Sequence, residues 1–303
     1  MSDLLNAQLL YDVLRVTTPL LLLGLAGVLT LRAGVLNIAL EGLLLAGAFG
    51  ATLGAGLTGS VAAGALTAVL AGGLLAAVFA YFTLRLRANI FIVGLATNAF
   101  AAAATVYATF LLTGREGTLI FPNAPTLPRL KLPLIADWPP LAWLSGHTAL
   151  DYLAWLLVLA VSFLLFQTPF GLRLRAVGED AKAAYATGLP VKRIQLLAIL
   201  GSGLLAGLAG AHLALTVGGF VPNMGGGRGW IGLVAAIVGG GTAWGAAASS
   251  ALFGFTEGLA NSLQITAPRM PTQLLFALPY LITLVALVVY SGLKRRRRDD
   301  PFA

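Results

Sequence analysis

The chain has no cysteine, which excludes a disulfide, a thiolate metal site and a thiol nucleophile and leaves no trace of a redox compartment. Charge is scarce too. Only 10% of the 303 residues are charged, where soluble domains carry about 25%, and 19 basic with 11 acidic side chains cannot give so long a chain a water-facing shell. The two histidines, His147 and His212, are too few and too distant in sequence to suggest a metal centre. No Gly-x-x-x-x-Gly-Lys-Ser/Thr run exists, since Gly225-Gly226-Gly227-Arg228-Gly229 lacks the Lys-Ser/Thr end that binds phosphate and magnesium. His-Glu-x-x-His, a nucleophile with its base and a paired-Asp arrangement are missing as well, which argues against an intramembrane enzyme. Asp3 and Asp12 stand where a cleavable signal peptide would be basic, so none is expected.

What is present is apolar. The chain is 58% hydrophobic with a mean hydropathy of +0.91. Apolar segments cover 9–31, 35–56, 61–84, 89–113, 150–168, 194–217, 229–241, 243–263 and 273–293, and most reach the roughly 20 residues a spanning helix needs. They predict an all-α membrane protein, a polytopic helical bundle of about nine transmembrane helices. The range is eight to ten, because 229–241 is short and broken by Gly239, Gly240 and Gly241. The 37 glycines suit helices that meet through small residues, whereas barrel strands would alternate. Residues 1–303 read as one transmembrane domain.

The net charge of +8 follows the positive-inside rule, because the basic residues form no aromatic-interleaved face for nucleic acid. Lys294 to Arg298 place a basic tail, 294–303, in the cytoplasm. Counting back puts Arg32, Arg85, Arg87 and the stretch from Arg173 to Arg193 inside. A Pro-rich extracytoplasmic loop, 114–148, is left outside, with Arg115, Arg129 and Lys131 as exceptions to the rule. Pro122, Pro125, Pro128, Pro133, Pro139 and Pro140 forbid a long helix in that loop. It reads either as a structured connector or as a docking surface for an external binding protein. Leu40-Glu41-Gly42-Leu43 echoes Thr256-Glu257-Gly258-Leu259, but in so biased a chain coincidence explains four residues better than a repeat does.

The inner loop, 171–193, contains its own short helix. Glu179 and Asp180 supply an acidic start, Ala181 to Thr187 are mostly good helix formers, and Gly188 with Pro190 is a stop signal. About two turns cannot stand alone in water, so the helix must pack on something. At helical spacing Ala181, Ala184 and Gly188 share a face almost without bulk, which lets another protein approach the backbone. The plainer alternative is an amphipathic connector lying on the membrane surface.

Lys182-Ala183-Ala184, three residues, then Gly188 resembles the Glu-Ala-Ala-x-x-x-Gly coupling motif of ABC importer permeases, with Lys182 where Glu is common. Leu174-Arg175-Ala176-Val177-Gly178-Glu179 and Gly203 to Ala211 are similar to the branch holding ribose-type, branched-chain amino-acid and nucleoside permeases, and the resemblance covers nearly the whole chain. It implies that 171–193 is a cytoplasmic coupling loop. Its helix, with Glu179, Ala181, Lys182, Ala183, Ala184 and Gly188, would seat in a cleft of a separate ATP-binding subunit. It also implies a second permease subunit, an extracytoplasmic substrate-binding lipoprotein and a bacterial inner-membrane location. ATP and magnesium would sit on the partner, and the chain itself would need no cofactor and catalyse nothing.

Polar residues within the apolar segments are the candidates for the solute path. A carboxylate deep in a bilayer costs about 2.5–3.5 kcal/mol on insertion scales, so it needs a partner or a wet cavity. Asn37 and Glu41 are four apart and expected on one helix face, Asn98 stands alone, and Glu257 with Asn261 is a second i, i+4 pair. Each equally fits an interhelical hydrogen bond without solute contact, and His212 fits a satisfied buried imidazole better than a proton relay. Asn37-Ile38-Ala39-Leu40-Glu41-Gly42 is similar to nucleoside-type members of the family, where ribose-type members carry an Asp-Leu-Ser version. A simple sugar or a branched-chain amino acid remains an alternative cargo. An ion-coupled secondary transporter using Glu41 or Glu257 is the further alternative.

Overall fold

The computed structural model describes residues 7–115, 117–131 and 142–266, with Leu281, Val285 and Val288. The tail 294–303, Pro133, Pro139, Pro140 and, apart from those three positions, the segment 273–293 lie outside the described residues. Among the residues 7–266 that are described, ten α-helices follow one another: α1 (Ala7–Arg32), α2 (Leu40–Thr58), α3 (Val61–Ala80), α4 (Ile90–Thr113), α5 (Ala149–Gln167), α6 (Pro169–Glu179), α7 (Ala181–Ala186), α8 (Val191–Val217), α9 (Arg228–Val238) and α10 (Ala243–Thr266). Among the described residues the only β pairing is two isolated bridges, Leu119 with Phe220 and Arg129 with Thr148.

Helix ends follow local chemistry. Ser60 accepts the Ala63 N–H, Asn89 accepts those of Phe91 and Ile92, and Thr168 accepts that of Gly171 ahead of a proline at the first turn. Gly59, Gly114 and Gly218 end α2, α4 and α8 in the left-handed region, where a Cβ would clash with the carbonyl.

Among the described residues six helices are long and apolar enough to cross a membrane, and they correspond to the first six segments read from the sequence. Two further helices depart from the expected spans. The 11-residue α9 rises about 16 Å, half of a hydrocarbon core of about 30 Å. α10 has the length, but Ser249, Ser250, Thr256, Glu257, Asn261, Ser262 and Gln264 dilute its apolar character. α2 also starts later than expected, at Leu40, because 33–39 forms a turn with Gly34 at φ +71°.

α1 is the hub, with Leu20 to Leu23 fully buried and α8, α9 and α10 packed around it. α3, α4 and α5 turn most of their surface outward, including Leu66, Leu74, Ile92, Phe100 and Phe163. Water would not tolerate that surface, and lipid chains suit it.

α2, α3 and α8 meet through glycines. A Cβ on Gly47 would lie 2.5 Å from the Gly207 Cα, and one on Gly207 or Gly210 would strike the carbonyl oxygen of Ala68 or Leu44. α2 and α8 run parallel, since Gln195 reaches Ala33 O, Asn37 reaches Ser202, and Gly47 meets Gly207. Glu41 therefore sits near the middle of the 27-residue α8, at mid-depth in the bundle. Overpacking this seam costs about 1–3 kcal/mol, so Gly207→Val should lower the thermal unfolding midpoint in detergent. Gly201→Ala, where an added Cβ meets only the tip of Leu29 at 3.2 Å, should leave it unchanged or raise it.

Candidate functional site

Two carboxylates from opposite ends of the chain meet at the first turn of α9. Glu41 is 8% exposed; one of its oxygens accepts the Gly227 N–H at 3.0 Å and the other the Gly229 N–H at 2.7 Å. A helix start leaves amides unsatisfied and carries partial positive charge, so this is where a carboxylate within the bilayer is stabilised. Gly225 and Gly229 are bare because a Cβ on either would meet the carboxylate of Glu41, and Gly227 takes φ +83° to aim its amide. The glycine run that failed as a phosphate loop thus cradles an internal carboxylate. Glu257, from α10, pairs with Arg228, whose guanidinium also reaches the carbonyls of Met224 and Gly225.

α9 is one half of a broken crossing, the half that runs toward the end bearing Arg32. Its far end is held where Arg32, closing α1, donates to Gly241 O at 2.6 Å and to Gly240 O at 3.0 Å. The preceding residues, 218–227, descend from the end of α8 without helix. Non-helical backbone at membrane depth is tolerated only inside protein or beside a wet cavity.

Asn37 and Asn98 are internal braces. Asn37 precedes α2 instead of sharing a helix face with Glu41; its amide donates to Ser202 Oγ at 2.9 Å and its carbonyl accepts the Ala39 N–H at 3.1 Å. A turn was needed there to bring the chain to mid-depth before α2 begins. Asn98 accepts the Gly42 N–H at 2.7 Å and donates to Ile38 O at 2.9 Å, stapling α4 to the same turn. Asn261, one turn beyond Glu257, lines a cleft of about 390 Å³ between α1, the end of α8 and α10, together with Arg15, His212, Thr216 and Arg228.

Asp151 escaped notice in the sequence. Buried to 1% exposure, its carboxylate accepts hydrogen bonds from Thr18 Oγ1 (2.6 Å), the Thr148 amide (2.7 Å), Thr148 Oγ1 (2.8 Å) and, through Nε2, His212 (2.9 Å). His147 Nδ1 lies 4.0 Å away, and its ring stacks on Tyr11. The signal was legible: Thr148-Ala149-Leu150-Asp151 has capping-box spacing just before an apolar run. His212, expected as a satisfied buried imidazole, is satisfied at one nitrogen only: Nε2 meets Asp151, while the buried Nδ1 has no partner among the described residues.

α7 is the most exposed of the helices. Asp180 caps it, accepting the N–H groups of Lys182 (2.8 Å) and Ala183 (3.0 Å). Gly188 closes it at φ +84°, with its N–H to Tyr185 O and that of Leu189 to Ala184 O, which is a Schellman motif. The expected bare face is only partly offered outward. Ala184 is buried against the rest of the chain, because so short a helix needs an apolar foothold, while Ala181, Lys182, Ala183 and Gly188 face out beside Tyr185, 76% exposed. Glu179 is exposed at the end of α6. Arg87, Lys182, Tyr185, Lys192 and Arg193 line one basic recess next to α7. At the opposite end, Leu127 N–H bonds Leu215 O and Leu130 N–H bonds His147 O, so the described part of 114–148 is fastened to the bundle.

Residues 9–287 match the family described as branched-chain amino acid transport system / permease component. A guanosine ABC transporter permease of Bacillus subtilis is 33% identical over 100% of this chain and 95% of its own length. A nucleoside ABC transporter permease of Lactococcus lactis is 30% identical over 91% of this chain and 90% of its own. A putative glucose ABC transporter permease of Haloferax volcanii is 34% identical over 74% and 68%. No solved structure matches.

Each buried donor left unpaired costs about 1–3 kcal/mol, so Glu41→Ala, which strips two amides, should be markedly less stable than Glu41→Gln, which retains one acceptor. Asp151→Ala breaks a buried pair and should cost about 3–5 kcal/mol. Thermal unfolding of the purified variants in detergent reads both.

Proposed function

The chain belongs to the permease-component family of branched-chain amino acid transport systems, and from that membership we propose that it is the nucleoside-conducting subunit of an ATP-driven bacterial importer. That it is a multi-pass ABC transporter permease follows from the family, the relatives and six spanning helices. The nucleoside reading is carried by one observation: similarity to a guanosine permease extends over the entire chain. An ion-coupled mechanism fits poorly, since Glu41 is held by two amides and Glu257 by an arginine.

In this reading the end bearing Arg32, Arg87, Lys182, Lys192 and Arg193 faces the cytoplasm of a bacterial cell, and α7 is the coupling helix. The outward face of Ala181, Lys182, Ala183, Tyr185 and Gly188 receives the ATP-binding subunit, where ATP and magnesium reside. Motion passes along contacts present in the fold. α7 is continuous with α6, whose Gly178 abuts Arg32 and Gly34, and Arg32 holds the end of α9. A tilt of α7 would therefore move α9 and the Glu41, Arg228 and Glu257 contacts at its start, opening the path alternately to each side. A second permease completes the path, and a lipoprotein docks on the end formed by 114–148.

Vesicles containing the assembled complex should accumulate labelled guanosine only with ATP and the binding protein. Accumulation of glucose in its place would transfer the assignment to a sugar. Gly188 has open space around it but a left-handed φ of +84°, so Gly188→Trp both crowds the outer face of α7 and strains its cap; membrane insertion should stay intact while co-purification of the ATP-binding subunit is abolished. Normal recovery of that subunit would remove α7 from its docking role.

A further inference from the structure

Resting on the nucleoside reading, we propose that the cleft between α1, the end of α8 and α10 is where the solute pauses during transit, and that it holds a purine nucleoside by the acceptor edge of the base. The cleft, about 390 Å³, falls in the lower part of the size range of small-molecule sites, about 300–1,000 Å³. Its polar lining is dominated by donors. Arg15 is half-buried and has no ion pair or hydrogen bond among the described residues. A guanidinium offers five N–H donors and accepts nothing. Arg228 gives one terminal nitrogen to Glu257 and the other to the carbonyls of Met224 and Gly225, and its buried Nε has no partner, so the free donor fork is that of Arg15.

Three neighbours complete the polar set, among them His212, whose Nε2 is taken by Asp151. Asn261 both donates and accepts, and Thr216 spends its proton on His212 O, leaving its lone pairs free. Pro19 and Met224 supply apolar walls for a flat ring. A donor fork beside an apolar slot calls for a ligand with two adjacent in-plane acceptors on a ring, and O6 with N7 of a guanine provides that pair. Neighbouring sugar hydroxyls can accept from a guanidinium too, but each also carries a proton that needs an acceptor, and this lining offers few. A zwitterionic amino acid would need a free carboxylate for its ammonium, and the nearby Glu257 is taken by Arg228. The cleft is also lined by Val221 and Met224 of the non-helical segment 218–227, next to Phe220, which pairs with Leu119 of the 114–131 loop. A solute released by an external binding protein would meet it first.

Because the chain lacks cysteine, one introduced thiol reports one position. Met224→Cys, Thr216→Cys and Asn261→Cys, each in the full complex in vesicles shown to accumulate guanosine or glucose, are treated with a small water-soluble thiol reagent, and labelling is read on this chain alone. Ile120→Cys, on the exposed loop, is the reference. With guanosine at about ten times its dissociation constant, labelling in the cleft should slow about ten-fold by mass action, and labelling at 120 should be unchanged. Protection of the cleft by glucose alone would uphold the site as a solute-binding cleft, while overturning both the purine assignment and the nucleoside reading. Transport of guanosine without slower labelling at any of the three cleft positions would overturn the cleft proposal and leave the nucleoside reading intact. Arg15→Gln adds a second readout: the guanosine concentration that half-protects Met224→Cys should rise about ten-fold, the scale of one lost bidentate contact at about 1.4 kcal/mol. Full protection in that background would remove Arg15 from the site.

Discussion

The carboxylate of Glu41, seated on the amides of Gly227 and Gly229, is the contact on which the centre of this fold depends. Without an anion there, a half-length helix would begin in the apolar interior with unpaired donors, each a substantial cost where no water can reach. With it, the crossing can be broken at mid-depth, and the first helical residue, Arg228, is delivered to Glu257 and to the cleft wall. The carboxylate is in turn stabilised by the helix, so two features that would each be unfavourable alone are favourable together.

Glu41 reaches that level because α2 is locked in register on α8. Gly47 against Gly207, Gly210 against Leu44 and Asn37 on Ser202 leave no room for sliding by even one residue. In lipid, apolar association is a weak guide to register, and close backbone approach with a few interhelical hydrogen bonds takes its place. Asn98 then fixes the turn before α2 from the α4 side. The site is positioned by glycines and amides that touch no solute.

Periodicity and composition made the membrane class and the first six spans legible, because apolar runs of bilayer length have few other uses. The short helix at 181–186 could be read from Asp180 and Gly188, whose capping chemistry is local. What the chain does over long distances was hidden. Nothing near Gly225 to Gly229 announces that its amides await a carboxylate 186 residues earlier, and nothing near Asp151 announces Thr18 or His212. Asn37 was assigned to a helix because an apolar run does not record the turn within it. The repeat of Glu-Gly-Leu at 41 and 257 looked like coincidence, yet both acids come to the start of α9 by different bonds, one to backbone and one to a side chain. Ala184 was expected to face a partner, and its burial follows from the need of six helical residues for a foothold of their own.

α9 has glycine at both extremities, Gly225 to Gly227 before it and Gly239 to Gly241 after it, several with positive φ. The eleven residues between are stiffened by their own hydrogen bonds, and both joints are pinned, one by Glu41 on the Gly227 and Gly229 amides and the other by Arg32 on the Gly240 and Gly241 carbonyls. Such an element behaves as a connecting rod clamped at each end to a different helix, α2 at one and α1 at the other. It transmits displacement along its axis without bending, so a small shift at the Arg32 end would arrive at the Glu41 end almost undiminished.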